Sequence, residues 1–117
     1  MRYVDGYVLP ILKRNLKAYT AMARMGQRMW LEQGALDYKE CVGDDLTPPF
    51  GLPFPKAFKL KAGETIVFAF VVFKSRAHRD QVNARVMKVM GNPEMGKKMP
   101  FDLKRMVYGG FRTLVGG

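Results

Sequence analysis

The chain has a single cysteine, Cys41, and a single histidine, His78. One cysteine excludes an internal disulfide and any zinc cluster built on thiolates. One histidine founds a metal site only with carboxylates at coordinating spacing, and the neighbours of His78 are Arg76 and Arg79. The sequence therefore leads us to expect no metal and no cofactor. Acidic residues are also scarce: 10 Asp and Glu stand against 20 Lys and Arg, for a formal charge of +10. The bases are dispersed, with no run of five like charges, so no basic tail is expected. Such a field attracts polyanions at long range and is screened within about 8–10 Å by physiological salt. A solvated cationic surface is its plainest reading. Long apolar runs are missing too. Nothing approaches the roughly 18 residues of a membrane span, and the N-terminus lacks the charged and apolar regions of a secretory leader. A cytoplasmic protein without a membrane partner is expected.

What is present suits a globular chain: 48% hydrophobic and 26% charged residues over 117 positions. That length fits one domain, residues 1–117, and leaves a small core that an added interface would reinforce. Tyr3 to Leu9 alternates with period two, Val4 and Val8 on one face and Tyr3, Asp5 and Tyr7 on the other, and Pro10 is expected to end this strand. From Lys13 to Gln33 the period becomes helical. Leu16, Tyr19, Ala23, Gly26 and Trp30 share a face that Met22, Met25 and Met29 widen, and Gly34 supplies a left-handed stop. A second strand follows over Ala35 to Val42, with Leu36, Tyr38, Glu40 and Val42 on one side. Four prolines and two glycines in residues 43–56 predict a long loop. Ala57 to Leu60 reads as a short edge strand. Thr65 to Phe73 is apolar on both faces and should be central. Ser75 is placed to cap a second helix, Arg76 to Met90, whose inner stripe is Val82, Val86 and Val89. Residues 93–100 read as a turn or a short helical piece. Lys104 to Val115 completes the set, with a bulge or a close approach at Gly109-Gly110.

The order β-α-β-β-α-β predicts an α+β, ferredoxin-like fold: an antiparallel four-stranded sheet of order 4-1-3-2 with both helices on one face. The helices should bury Val4, Val8, Val67, Ala69, Val71 and Phe73. The opposite face would carry Tyr3, Asp5, Tyr7, Tyr38, Glu40, Phe68, Phe70, Val72, Met106 and Tyr108. A face so large and aromatic needs a cover.

Three covers imply three kinds of function. A second copy of the chain would bury Phe68, Phe70, Val72 and Met106 as the core of a twofold interface, forming a homodimeric α/β barrel. Single-stranded RNA would use the same face. Ile66 to Phe73 matches the last six positions of the RNA-recognition motif's third-strand pattern, Lys/Arg-Gly-Phe/Tyr-Gly/Ala-Phe-Val-x-Phe/Tyr, so Phe68 and Phe70 would stack bases. The opening basic-glycine pair is absent, and Asp5 and Glu40 would oppose phosphates, so nucleic acid is the weaker reading. A small ligand is the third cover. Asp5, Tyr7, Tyr38, Glu40 and Tyr108 are its candidate contacts, with Arg105, Lys39 or Arg112 to pair with the acids. Any such pocket should lie between sheet and helices beside the 43–56 loop, and a carboxylate walled by rings there could act as a base. Cys41, alternating with Glu40, is expected to face the helices as a buried, inert thiol. His78 reads as a solvated surface residue.

Four long stretches carry a resemblance: residues 1–10, 34–45, 74–87 and 99–111, which open Met-Arg-Tyr-Val-Asp-Gly-Tyr, Gly-Ala-Leu-Asp-Tyr-Lys-Glu-Cys, Lys-Ser-Arg-Ala-His-Arg-Asp and Met-Pro-Phe-Asp-Leu-Lys-Arg. Together they resemble the YbaA-like family of small uncharacterised bacterial proteins. The resemblance implies a ferredoxin-like, dimeric α/β barrel and brings no established activity or catalytic residue. The wider barrel superfamily includes cofactor-independent monooxygenases, and an enzyme such as a monooxygenase or isomerase follows from it only as an analogy of fold.

Overall fold

A computed structural model describes residues 1–90 and 99–117. Its elements are β1 (Tyr3–Leu12), α1 (Leu16–Glu32), β2 (Asp37–Val42), α2 (Phe54–Ala57), β3 (Glu64–Phe73), α3 (Arg76–Met90) and β4 (Val107–Arg112). Single 3-10 turns precede α1 and β4. The strands form one antiparallel sheet in the order β2-β3-β1-β4, which is the ferredoxin-like order expected from the sequence.

Most local signals act where they were read. Gly34 adopts φ 116°, the left-handed conformation that a residue without Cβ accepts freely, and the chain turns from α1 into β2 there. The Ser75 hydroxyl accepts the His78 amide hydrogen at 3.1 Å and caps α3. Tyr19 and Ala23 of α1, and Val82 and Val86 of α3, are buried against the sheet. Val89, expected in the same stripe, is exposed at the far end of α3.

Three of the expected elements differ. Pro10 does not end β1, which runs on to Leu12. β4 stops opposite Val8, so beyond that point β1 has a free edge where a missing N–H costs no ladder bond. Residues 57–60 form no strand. Pro53 and Pro55 instead open the short helix α2, because fixed φ values suit a first helical turn. β4 is shorter than expected and keeps an unbroken register, without a bulge. The alternative, a close approach, is found at Gly110, where a Cβ would collide with the Tyr3 ring and hydroxyl. The expected turn over 93–100 falls mostly outside the described residues.

The largest difference is one of phase. β1 alternates as expected, but Tyr3, Asp5, Tyr7, Leu9 and Ile11 point to the helices. Asp5, Leu9 and Ile11 are buried there, and Val4 and Val8 lie on the opposite face. Register then fixes the rest. Tyr38 and Glu40 pair with Val71 and Ala69 on the helix side, and Tyr108 pairs with Tyr7. Met106, expected in an interface, packs on the helix-side cluster of Leu9, Ile11, Tyr19, Ala23 and Val67. Of the expected open-face set, only Phe68, Phe70 and Val72 are on that face. Their neighbours are Val4 and Val8 on β1, Asp37, Lys39 and Cys41 on β2 and, on β4, Val107 and Phe111. Cys41, opposite Phe68, is on the open face and exposed, so it is not the buried thiol expected from the sequence.

Candidate ligand pocket

Reversing the phase brings the acids and phenols together beneath the helices, where two polar clusters form.

The first cluster centres on Asp5, which is only 4% exposed. A buried carboxylate is costly unless it is paired and hydrogen-bonded. Here α3 supplies both needs from residues one turn apart. Arg79 Nη1 donates to Asp5 Oδ1 at 2.9 Å, and Asn83 Nδ2 donates to Oδ2 at 3.2 Å. The Asn83 carbonyl accepts from Trp30 Nε1 at 3.0 Å, which ties α1 into the same line. Arg79 also lies over the Tyr3 ring, 4.9 Å from its centroid, and donates through Nε to Asp80. Asp5 is therefore fully engaged in joining β1, α1 and α3. Arg79, Asn83 and Trp30 are its partners, in place of the expected Arg105, Lys39 or Arg112.

The second cluster centres on Glu40. Tyr19 of α1 donates to Oε1 at 2.5 Å, and Tyr38, two residues along the same face of β2, donates to Oε2 at 2.7 Å. Gly26 makes room for this arrangement, because a Cβ there would stand 2.8 Å from the Tyr38 hydroxyl. A glycine inside a helix costs about 1 kcal/mol relative to alanine, and here it lets α1 pass close over the phenol. Burial, and next the bond to Glu40, push both phenols far above the ordinary tyrosine range, so both remain donors at any ordinary pH. Tyr7 lies between the two acids. Burial first, then the charge of Asp5, push its hydroxyl up to about 12. Its ring stacks on Tyr108 at 5.8 Å, and its hydroxyl has no hydrogen-bond partner among the described residues.

Glu40 and Tyr7 line a cavity of about 140 Å³ between the sheet and α1. Leu9, Tyr38, Ala69 and Val71 form the rest of its floor, and Tyr19, Met22 and Trp30 of α1 form its roof. Phe101 and Met106 close one side; the 43–56 loop, expected to border the pocket, contributes nothing to the lining. An engineered apolar cavity of about 150 Å³ admits benzene, so this one has room for a single small ring or a branched chain. Two further depressions beside α1 and β2 also reach Glu40, both along Thr20, Ala23 and Cys41, and Arg24 and Lys39 line one of them.

The other candidates lie elsewhere. Arg105 donates to both oxygens of Glu64 and to the Phe58 carbonyl, and so fastens the chain before β4 to the start of β3. Lys39 is near Asp37 at 3.8 Å, on the exposed face. Tyr108 touches the site only through Tyr7 and is 69% exposed. His78 is half-buried: its Nδ1 accepts the Lys74 amide hydrogen at 2.9 Å, and its ring meets Phe73 edge-on. Among the described residues no three His, Cys, Asp or Glu side chains converge as metal ligands. None of the described helices is long and apolar enough to cross a membrane.

Comparison with known proteins places this architecture. A crystallised dimeric ferredoxin-like protein from an uncultured marine organism superposes with a TM-score of 0.61 over 97% of this chain and 94% of its own, at 11% identity. That likeness shows the fold. In sequence, the uncharacterised protein YbaA of Escherichia coli K12 is 36% identical over 115 residues, which is 98% of each chain. The YbaA protein of Shigella flexneri matches to the same extent. The model of a protein family of unknown function, DUF1428, matches residues 2–103. The chain belongs to this YbaA-like family, whose function is unknown.

Proposed function

We propose that this protein is a homodimer that binds a small molecule in the cavity between its sheet and α1, with Glu40 as the polar anchor. The observation that carries the ligand reading is the hydrogen-bonded Glu40 carboxylate set in a wall of rings and aliphatic side chains. Such a wall with few convergent polar groups is the usual makeup of a small-molecule site. Tyr38 then lines the site directly, Asp5 and Tyr108 support it through Tyr7, and Arg105 has no part in it.

The dimer reading rests on the other face of the sheet. Phe68, Val107 and Phe111 are 45%, 59% and 61% exposed and continuous with Val4, Val8, Phe70 and Val72. A patch of this kind, apolar and central on the sheet, suits a twofold partner. The structural neighbour, which shares the fold, is described as dimeric. Phe68 and Phe70 have ring centroids 5.9 Å apart, as a base-stacking pair could, but their neighbours on β1 and β4 are apolar and Lys39, paired with Phe70, lies 3.8 Å from Asp37.

Thermal unfolding in the presence of cavity-sized compounds tests the ligand reading. A ligand at about 100 times its Kd stabilises the fold by about 2.7 kcal/mol. Ala69→Leu, which fills the cavity floor, should abolish the shift. Shifts that survive in Ala69→Leu, or no shift with any compound of fitting size, contradict the reading.

A further inference from the structure

Three acidic side chains are drawn into the body of the fold, and they are treated differently. Asp5 is neutralised by Arg79 at 2.9 Å, and Glu64 is held by Arg105 at 2.7 Å. Glu40 has no basic side chain within ion-pair distance among the described residues, and its bonds come only from the two phenols. This is notable in a chain with twice as many bases as acids. Withdrawn carboxylates are ordinarily paired with a cation, because neutral hydrogen bonds recover only part of the lost hydration. Among the described residues no lysine, arginine or histidine lines the cavity between sheet and α1, while Arg24 and Lys39 line a separate depression that also reaches Glu40. Rings line the cavity itself: Tyr7, Tyr19, Trp30, Tyr38 and Phe101. The faces of such rings carry negative potential and attract a cation within about 6 Å.

We propose that the cavity binds a small organic ammonium ion, its positive nitrogen set against the Glu40 carboxylate and its methyl or methylene groups against the surrounding rings. The inference rests on the cavity being a ligand site and adds the charge of the ligand. The volume of about 140 Å³ limits that ligand to a short or branched alkylammonium. Tyr19 and Tyr38 keep the carboxylate fixed and ready, so little ordering is left for the ligand to impose. The net positive charge of the chain opposes a cation only at long range, where salt screens it. Glu40 acts at contact.

Trp30, the single tryptophan, lines the cavity and reports on it by fluorescence. The probes are tetramethylammonium, choline and n-butylammonium, with 3,3-dimethylbutan-1-ol as the neutral isostere of choline. The expected result is saturable change of Trp30 emission by at least one ammonium, and binding of choline about tenfold tighter than its isostere. Glu40→Gln should remove that difference. An isostere that binds wild-type protein as tightly as choline overturns the charge assignment and leaves the cavity a ligand site. Failure of every probe, charged and neutral, overturns both. The wild-type comparison decides the matter even if Glu40→Gln does not fold.

Discussion

The phenol of Tyr19, on α1, meets the carboxylate of Glu40, on β2, at 2.5 Å across the roof of the cavity. A hydrogen bond to a charged acceptor is stronger than a neutral one, and this bond fastens the helix to an edge strand. Tyr19→Phe keeps the ring and the cavity wall but removes the donor. It should lower stability by about 1–3 kcal/mol, seen as a lower urea midpoint at unchanged slope. Glu40 keeps its bond to Tyr38, so the fold should survive.

Asp5 and Arg79 form the tightest polar joint between sheet and α3. Removing one member leaves the other charged and largely buried, so Asp5→Ala should cost about 3–5 kcal/mol. Arg79→Ala should cost a similar amount, and the double substitution should cost less than the sum of the two. Urea unfolding of the three variants measures the coupling. Strict additivity would mean that the pair contributes no shared energy.

Acid should weaken the fold in two stages. The imidazole of His78 is held below its ordinary value of 6.5, first by burial and then by the charges of Lys74 and Arg85. Its Nδ1 accepts a backbone hydrogen, which suits the neutral ring. The unfolded chain takes up that proton more readily, so this contribution is complete above pH 6.5 and is lost as pH falls through the depressed value. Glu64 is held below 4.5, mainly by its hydrogen bonds from Arg105. Its contribution is complete above 4.5 and disappears at lower pH. Urea midpoints measured from pH ~7 to pH ~3 should fall in both windows. Arg105→Gln should flatten the lower one, and His78→Gln the upper one.

Phe68 is nearly half exposed in the single chain, so replacing it tests association with little effect on the subunit's own core. Phe68→Glu places like charges face to face across a twofold axis and should convert the dimer to monomer in sedimentation at micromolar concentration. Loss of folding would instead mean that the residue is needed within one chain.

The order of elements was legible because each has a clear period or terminator: the helical spacing through Tyr19 and Ala23, the doubly apolar β3, and the cap at Ser75. Which face of β1 turned inward was not. Period two fixes which residues share a face but not which face is covered, and a change of one residue in phase reverses every assignment. Val4 and Val8 looked like core because the partners of Asp5 are far away in sequence: Arg79 and Asn83 lie 74 and 78 positions on. One local signal was available. Leu9 and Ile11 are in phase with Tyr3, Asp5 and Tyr7, and continuing the strand past Pro10 would have marked that face as the buried one. Tyr19 followed a similar course. Its helical position marked it as core, while its role as a donor to Glu40 depends on β2 packing beneath α1, which no local pattern encodes. The proline-rich 43–56 stretch was legible as a loop, yet its distance from the pocket was not, because Phe101 and Met106 close that side from the other end of the chain.

Native mass spectrometry with a panel of cavity-sized compounds tests the central claim most directly. The account predicts twice the mass of the chain, carrying up to two small molecules, with the adduct missing in Ala69→Leu. A single-chain mass without adduct under the same conditions would contradict it.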